Sequence, residues 1–173
     1  MKNENEFNAY ISKQLRLIRN EAKIAFLKTS EKFAVGVSDF LVFKDGHAAC
    51  LECKFIKELP DRSGTQVLRH PFGGAQLKFF DDMQIGAVPA WGVVGVKEYD
   101  VIVLVDRLVV GKGNWVKRDF MDIINWNIPG ACVFDIKDVA LLVTYATGSR
   151  HEPVTYKPET RKDGIKVMKR TLA

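Results

Sequence analysis

Three side chains of this sequence have the types and spacing to do chemistry together: Asp39, Glu52 and Lys54, in an Asp-x(12)-Glu-x-Lys arrangement. On a β-strand alternate residues share a face, so Cys50, Glu52 and Lys54 point one way, and Leu51, Cys53 and Phe55 the other. A turn back through Gly46 brings Asp39, at the start of the preceding strand, close to Glu52. Two carboxylates brought together repel unless a cation compensates them, and oxygen ligands of this kind suit a hard divalent ion such as Mg2+. A lysine beside such an ion can orient or deprotonate water, or stabilise charge developing on a phosphate. Without such an ion, the same residues would be an ordinary cross-strand ion pair.

The elements that must position them are readable from periodicity. Between Glu4 and about Asn20, Phe7, Tyr10, Ile11, Leu15 and Ile18 recur at helical spacing. A short strand is expected at Ile24 to Leu27. Asp39 to Phe43 and Ala48 to Phe55 read as an antiparallel hairpin, with the Asp45-Gly46 pair between them. Lys57 to Gly74, with its prolines and glycines, reads as loop, and Gly74 to about Ile85 as helix with Gln76, Phe80 and Met83 near one face. Ala90 to Val96 and Val101 to Val105 are β-branched runs expected to be central strands. A turn at Gly111 to Asn114 and a short helix at Val116 to Trp126 follow; Val139 to Tyr145 reads equally as a late strand or the start of a buried helix. The sum is an α/β (α+β) mixed sheet with flanking helices.

At this level the chain resembles the PD-(D/E)xK nuclease superfamily through Gly36-Val37-Ser38-Asp39, Leu51-Glu52-Cys53-Lys54 and the later Gln76. Within it, the chain is most similar to the RecU-type Holliday junction resolvases and related phage or archaeal resolvases, from about Glu4 to Val105. The resemblance implies a restriction-endonuclease-like core and a hydrolase that cuts DNA phosphodiester bonds with Mg2+ or Mn2+. Asp39 and Glu52 would be metal ligands, Lys54 the catalytic lysine and Gln76 the helix residue facing the centre. A first-helix acid, Glu6 or Glu4, would join the metal ligands; Glu6 is preferred because it stacks with Tyr10 at i,i+4 beside Phe7. Ser38 departs from the family pattern, in which proline commonly precedes the aspartate. The long basic interval between Lys54 and Gln76 resembles the resolvase branch. Resolvases of this kind commonly act as paired subunits, which implies a homodimer acting on DNA, with four-way junctions the favoured substrate. Another structure-specific or general phage-type nuclease, or an inactive DNA-binding protein of the same fold, are the alternatives.

Composition bounds this reading. With 173 residues, 47% of them hydrophobic and 27% charged, the chain has enough sequence for one core and is neither disordered nor fibrous in composition. Residues 1–149 are expected to form one nuclease domain. Arg150 to Ala173 carries seven basic and three acidic side chains within a total net charge of +5, and is expected to be a basic, flexible tail able to contact phosphates. DNA contacts are assigned to Lys57, Arg62, Arg69 and His70 in the loop and to Lys162, Lys166, Lys169 and Arg170 in the tail. No run approaches the roughly 18 apolar residues of a membrane span, and the start is polar, so an intracellular, cytoplasmic place in a phage or prokaryotic nucleoid setting is expected. Three cysteines fit a reducing compartment. Cys50-x-x-Cys53 falls on opposite strand faces, which disfavours a redox or zinc pair, and no phosphate-binding fingerprint for a nucleotide cofactor is present.

Overall fold

The computed structural model describes residues 1–29, 37–68, 71–111, 115–125, 129–148 and 154–172. Gly36, Arg69, His70 and Trp126, each singled out above, lie outside the described residues.

Helix α1 (Glu4–Ile18) starts where Asn3 accepts a hydrogen bond from the Glu6 backbone N–H at 2.9 Å, with Glu4 and Glu6 in the first turn where the helix dipole favours acids. Its stripe Phe7, Ile11 and Leu15 is buried. Strand β1 (Ile24–Lys28) follows, then the hairpin of β2 (Phe40–Lys44) and β3 (His47–Ile56). Asp45 and Gly46 form a two-residue turn with φ of +50° and +80°, and Lys44 pairs with His47, so each strand runs one residue further into the turn than the hydrophobic pattern suggests.

After the loop, α2 (Gly74–Ile85) carries the chain back to β4 (Ala90–Val96), which lies parallel to β3; a short 3-10 turn (Lys97–Tyr99) leads to β5 (Val101–Val105). The sequence pattern anticipated these elements, but not α3 (Arg107–Val110) or β6 (Ala131–Asp135), both too short for periodicity to register. Helix α4 (Lys117–Ile124) lies between them. The segment that read as strand or helix is α5 (Val139–Thr147), closed by Gly148 at φ +65°.

The sheet runs β1-β2-β3-β4-β5-β6, with β3 and β4 parallel and every other neighbouring pair antiparallel. It is the expected mixed sheet with helices on both faces. One face packs on α1 and α5 through Phe7, Leu15, Phe40, Leu51, Cys53, Phe134 and Leu142. The other packs on α2, α3, α4 and the connecting loop through Phe72, Phe80, Val94, Val103, Trp115 and Phe120. Among the described residues no helix is long and apolar enough to cross a membrane.

The segment expected to be a flexible tail contains a second hairpin, β7 (Val154–Thr160) and β8 (Lys166–Leu172), beside β6. Ile165 and Val167 enter one core and Met168 the other, so apolar burial holds the end of this basic segment against the body. Its charge count concealed this, because buried Ile165, Val167 and Met168 are interspersed with Lys166 and Lys169.

Strand β4 must pass between two phenylalanine rings. A Cβ on Gly95 would stand 2.6 Å from the Phe7 ring, and one on Gly92 2.6 Å from Phe72 on the opposite face. Gly95→Ala is therefore expected to destabilise the fold by about 1–3 kcal/mol through overpacking, with Phe7→Leu in the same chain recovering part of the loss. Urea denaturation of the two single variants and the double variant measures this; additive losses would show that the ring and the missing Cβ do not compete for space.

Candidate active site

The site is built on the middle of β3, where six consecutive residues, Ala49 to Lys54, are buried. Glu52 and Lys54 are only 4% and 6% exposed and share the face turned to α2, as their alternation predicts. The Lys54 ammonium donates to Glu52 Oε1 at 3.2 Å, stands 3.6 Å from Glu4 Oε1, and lies over the Phe72 ring at 5.7 Å from its centre. Phe72 reaches that place because the strand position beside Glu52 is Gly92.

Asp39 stands one residue before β2. Phe40 pairs with Leu51, so the next step of the hairpin register brings Asp39 beside Glu52. Its carboxylate is held at both ends: Oδ2 accepts from the Cys53 backbone N–H at 2.7 Å, and Oδ1 accepts from Asn8 Nδ2 at 3.1 Å. The Thr29 backbone N–H donates to the Asp39 carbonyl at 3.0 Å, which ties this position to the end of β1.

Gln76 connects the helix to the carboxylates. Its Oε1 accepts from the Gly73 backbone N–H at 2.9 Å, closing the first turn of α2, and its Nε2 donates to Glu52 Oε1. A glutamate could make the first bond but would turn a carboxylate toward Glu52 instead of a donor. An amide does both.

Burial pushes the Glu52 carboxyl up to about 7, Asp39 adds to the rise, the Lys54 charge and hydrogen bond oppose it, and Glu4 adds a smaller push upward. Three carboxylates, Glu4, Asp39 and Glu52, thus stand around the one ammonium of Lys54. Burial also raises the thiols of Cys50 and Cys53, and both are free, so the C-x-x-C spacing yields neither a disulfide nor an activated thiolate.

Among the described residues no group of three His, Cys, Asp or Glu side chains is gathered closely enough to enclose a metal ion. A Mg2+ ion does not require such an enclosure: it usually keeps several waters and takes one or two carboxylates. Asp39 and Glu52 fit that demand by their oxygen chemistry, by the three carboxylates around one ammonium, and by a further observation. The side-chain oxygen of Asn8, beside Asp39, is buried without a hydrogen-bond partner among the described residues.

Asp39, Glu52, Lys54 and Gln76 are thus brought together, and Glu6 is not. The exposed Glu6 carboxylate accepts from the Lys2 backbone N–H at 2.9 Å; Glu4, the other first-helix candidate, is the acid that meets Lys54. The helix stripe explains the correction. Glu4 and Asn8 are one turn apart and in line with Ile11 and Leu15, whereas Glu6 lies off that stripe. Asn8 was missed, although a polar residue in line with buried Ile11 and Leu15 was the available signal.

The described residues assigned to DNA contacts lie on the connecting loop and on the second hairpin. Lys57 is exposed and paired with Glu58 at 2.9 Å, and Arg62 is exposed. Their loop is pinned to the segment before α4 by Val67 N–H to Trp115 O at 2.7 Å and Lys117 N–H to Thr65 O at 2.9 Å. Lys162 and Lys166 are exposed in the second hairpin, beyond the far edge of the sheet from β1; Lys169 pairs with Asp138 at 3.2 Å, and Arg170 lies in β8.

No family model and no curated protein matches this chain. Among solved structures, a Holliday junction resolvase of the archaeal hyperthermophile Archaeoglobus fulgidus is similar with a TM-score of 0.49 and 11% identity, over 78% of this chain and 98% of that one. Likeness at that level transfers no function. The chemistry of the site has to be argued from its own residues.

Because Glu52 rises from 4.5 to about 7, the metal-free fold binds its proton more tightly than the unfolded chain does. That contribution is full below about pH 4.5 and is lost as pH rises through 7; its upper size is about 3 kcal/mol. In chelator, the parent should lose stability between pH 5 and pH 8.5 relative to Glu52→Gln, which lacks the titration. Equal pH dependences in paired urea titrations would show that Glu52 is not raised.

Proposed function

We propose that the chain is a divalent-metal-dependent endodeoxyribonuclease, and that its substrate is a four-way DNA junction. The observation that carries the nuclease reading is the buried Glu52–Lys54 pair facing Asp39 across a hairpin, with Gln76 donating to the same Glu52 oxygen. The junction preference rests on the sequence resemblance and on the basic loop between Lys54 and Gln76.

In this reading Asp39 and Glu52 hold Mg2+ or Mn2+, which when bound polarises the scissile phosphate and acidifies a water. The protein's part is orientation and charge. Cys53 N–H and Asn8 fix the direction of the Asp39 carboxylate, while Lys54 and Gln76 both hold Glu52 Oε1. Lys54 places a positive charge where negative charge grows on the phosphate during attack, against the apolar surface of Phe72 that limits screening by water. Glu4, near Lys54, is the acid from the first helix that this reading assigns to the site.

DNA backbone contacts are assigned to Lys57, Arg62, Arg69 and His70 on the loop side and to Lys162, Lys166, Lys169 and Arg170 on the hairpin side. A homodimer would present two such sites to one junction. The sheet face carrying Leu27 and Phe43, which are 60% and 37% exposed, is an apolar surface suited to a second copy.

Cleavage of a four-way junction, a flap, a nicked duplex and a linear duplex in Mg2+ and Mn2+ tests the activity. The parent should cut the junction in preference. Asp39→Asn should lose metal affinity and cleavage together, and Lys54→Ala should slow cleavage by about 10²–10³ with a smaller loss of metal affinity. Light scattering on the same samples should find two subunits per junction. No metal-dependent cleavage of any substrate by folded protein would leave a DNA-binding protein without turnover, and equal cutting of all four would remove the junction preference.

Truncating the basic segment would remove buried Ile165 and Val167, so its DNA role is better tested by charge. The double change Lys162→Gln and Lys166→Gln, at two exposed positions, should leave folding intact and flatten the slope of log affinity against log salt by roughly 1.8. An unchanged slope would take both lysines out of the DNA contact.

A further inference from the structure

One polar group beside the carboxylates is left unexplained by the activity proposed above. Asn8 is half-buried on α1, flanked by buried Phe7 and Ile11, with Ser12 one turn along and Glu4 one turn back on the same face. Its Nδ2 donates to Asp39 Oδ1 at 3.1 Å, and its Oδ1 is buried with no hydrogen-bond partner among the described residues. The amide cannot be turned to remove the problem: the carboxylate needs the NH2 group on its side, which leaves the carbonyl oxygen as the orphan. A buried acceptor without a donor is unfavourable by about 1–3 kcal/mol, so a side chain kept in this state needs a reason.

We propose that Asn8 is a positioning residue of a divalent-cation site, with its two amide ends doing different work. The Nδ2 end holds Asp39 in its orientation, and the Oδ1 end accepts a hydrogen bond from a water carried by the cation. The inference rests on the metal-dependent reading of Asp39 and Glu52. It follows from their coordination chemistry: two carboxylates leave most positions of a Mg2+ or Mn2+ ion to water, and such waters are strong donors that need acceptors around the ion. Asn8 is an acceptor next to one of the two ligands with nothing else to accept. Aspartate there would supply the oxygen but set a second carboxylate against Asp39 in the metal-free protein, and alanine would supply neither end.

The test is Mn2+ binding to the full chain, measured by calorimetry in parent, Asn8→Ala, Asn8→Asp and Asp39→Asn, with thermal melting in chelator and in Mn2+. Asn8→Ala should remain folded, melt in chelator close to the parent, and bind Mn2+ about 10- to 100-fold more weakly. Asn8→Asp should melt lower than the parent in chelator, regain more on adding Mn2+ than the parent does, and keep at least parent affinity. A purely structural asparagine would give the reverse: both variants would lose stability with and without metal alike. Parent affinity in Asn8→Ala, or the same loss in Asn8→Asp as in Asn8→Ala, overturns the role given to Asn8. A parent chain that binds no Mn2+, or binds it as well after Asp39→Asn, overturns the metal site itself along with it.

Discussion

Everything around the site answers to one constraint: a carboxylate has been placed in the middle of a strand that is covered on both faces. Glu52 is 4% exposed, and the surrounding groups are those that make such a position tolerable. Lys54, two residues along the same strand face, supplies a countercharge, and Gln76 supplies a neutral donor. Neither removes the unfavourable term entirely: burial itself raises the carboxyl most, and Asp39 adds a second negative charge from across the hairpin. A buried polar cluster left partly unsatisfied by the protein is the state expected of a site that works on an external ligand, not of a group that stabilises the fold.

The architecture concentrates its precision here. Strand β3 has β4 parallel along one side and β2 antiparallel along the other only as far as Leu51, and just beyond that point the Cys53 N–H turns to the Asp39 carboxylate instead of a strand partner. The two glycines of β4 admit Phe7 from the α1 side and Phe72 from the α2 side, which sets both helical layers close to the strand that carries the carboxylate. Phe72 then joins Trp115 and Phe80 in an aromatic group that continues into the second core. The ring beneath Lys54 is thus part of the packing that holds the connecting loop down, and site geometry and core packing are not separable on this face.

The C-terminal hairpin illustrates how composition misleads when charged and buried residues are interspersed. Its lysines and arginines suggested a solvated extension, whereas Ile165, Val167 and Met168 are buried against the sheet. In a strand, every second residue can be basic while its neighbours are core, so net charge per segment says little about whether the segment is folded.

Strand alternation alone was enough to put Glu52 and Lys54 on one face, and the Asp-Gly turn was enough to fold Asp39 back toward them, because both depend on local backbone geometry. The periodic helices α1 and α2 and the β-branched runs of β4 and β5 were legible from local pattern too. The sequence could not choose between helix and strand at Val139 to Tyr145, where an apolar run is compatible with either; burial of Val139, Leu142, Val143 and Ala146 against the sheet beside α1 decided for α5. Nor could it choose Glu4 over Glu6. Both sit in the first turn of one amphipathic helix, and which of them meets Lys54 depends on how that helix is rotated over the sheet, which is set by Phe7 fitting against Gly95. The role of Asn8 was hidden for a related reason: its place in line with buried helix residues marks it as unusual, but what it bonds is decided only when a carboxylate thirty-one residues later, just before β2, is packed against it. Local periodicity determines which residues share a face, and only tertiary packing determines what that face meets.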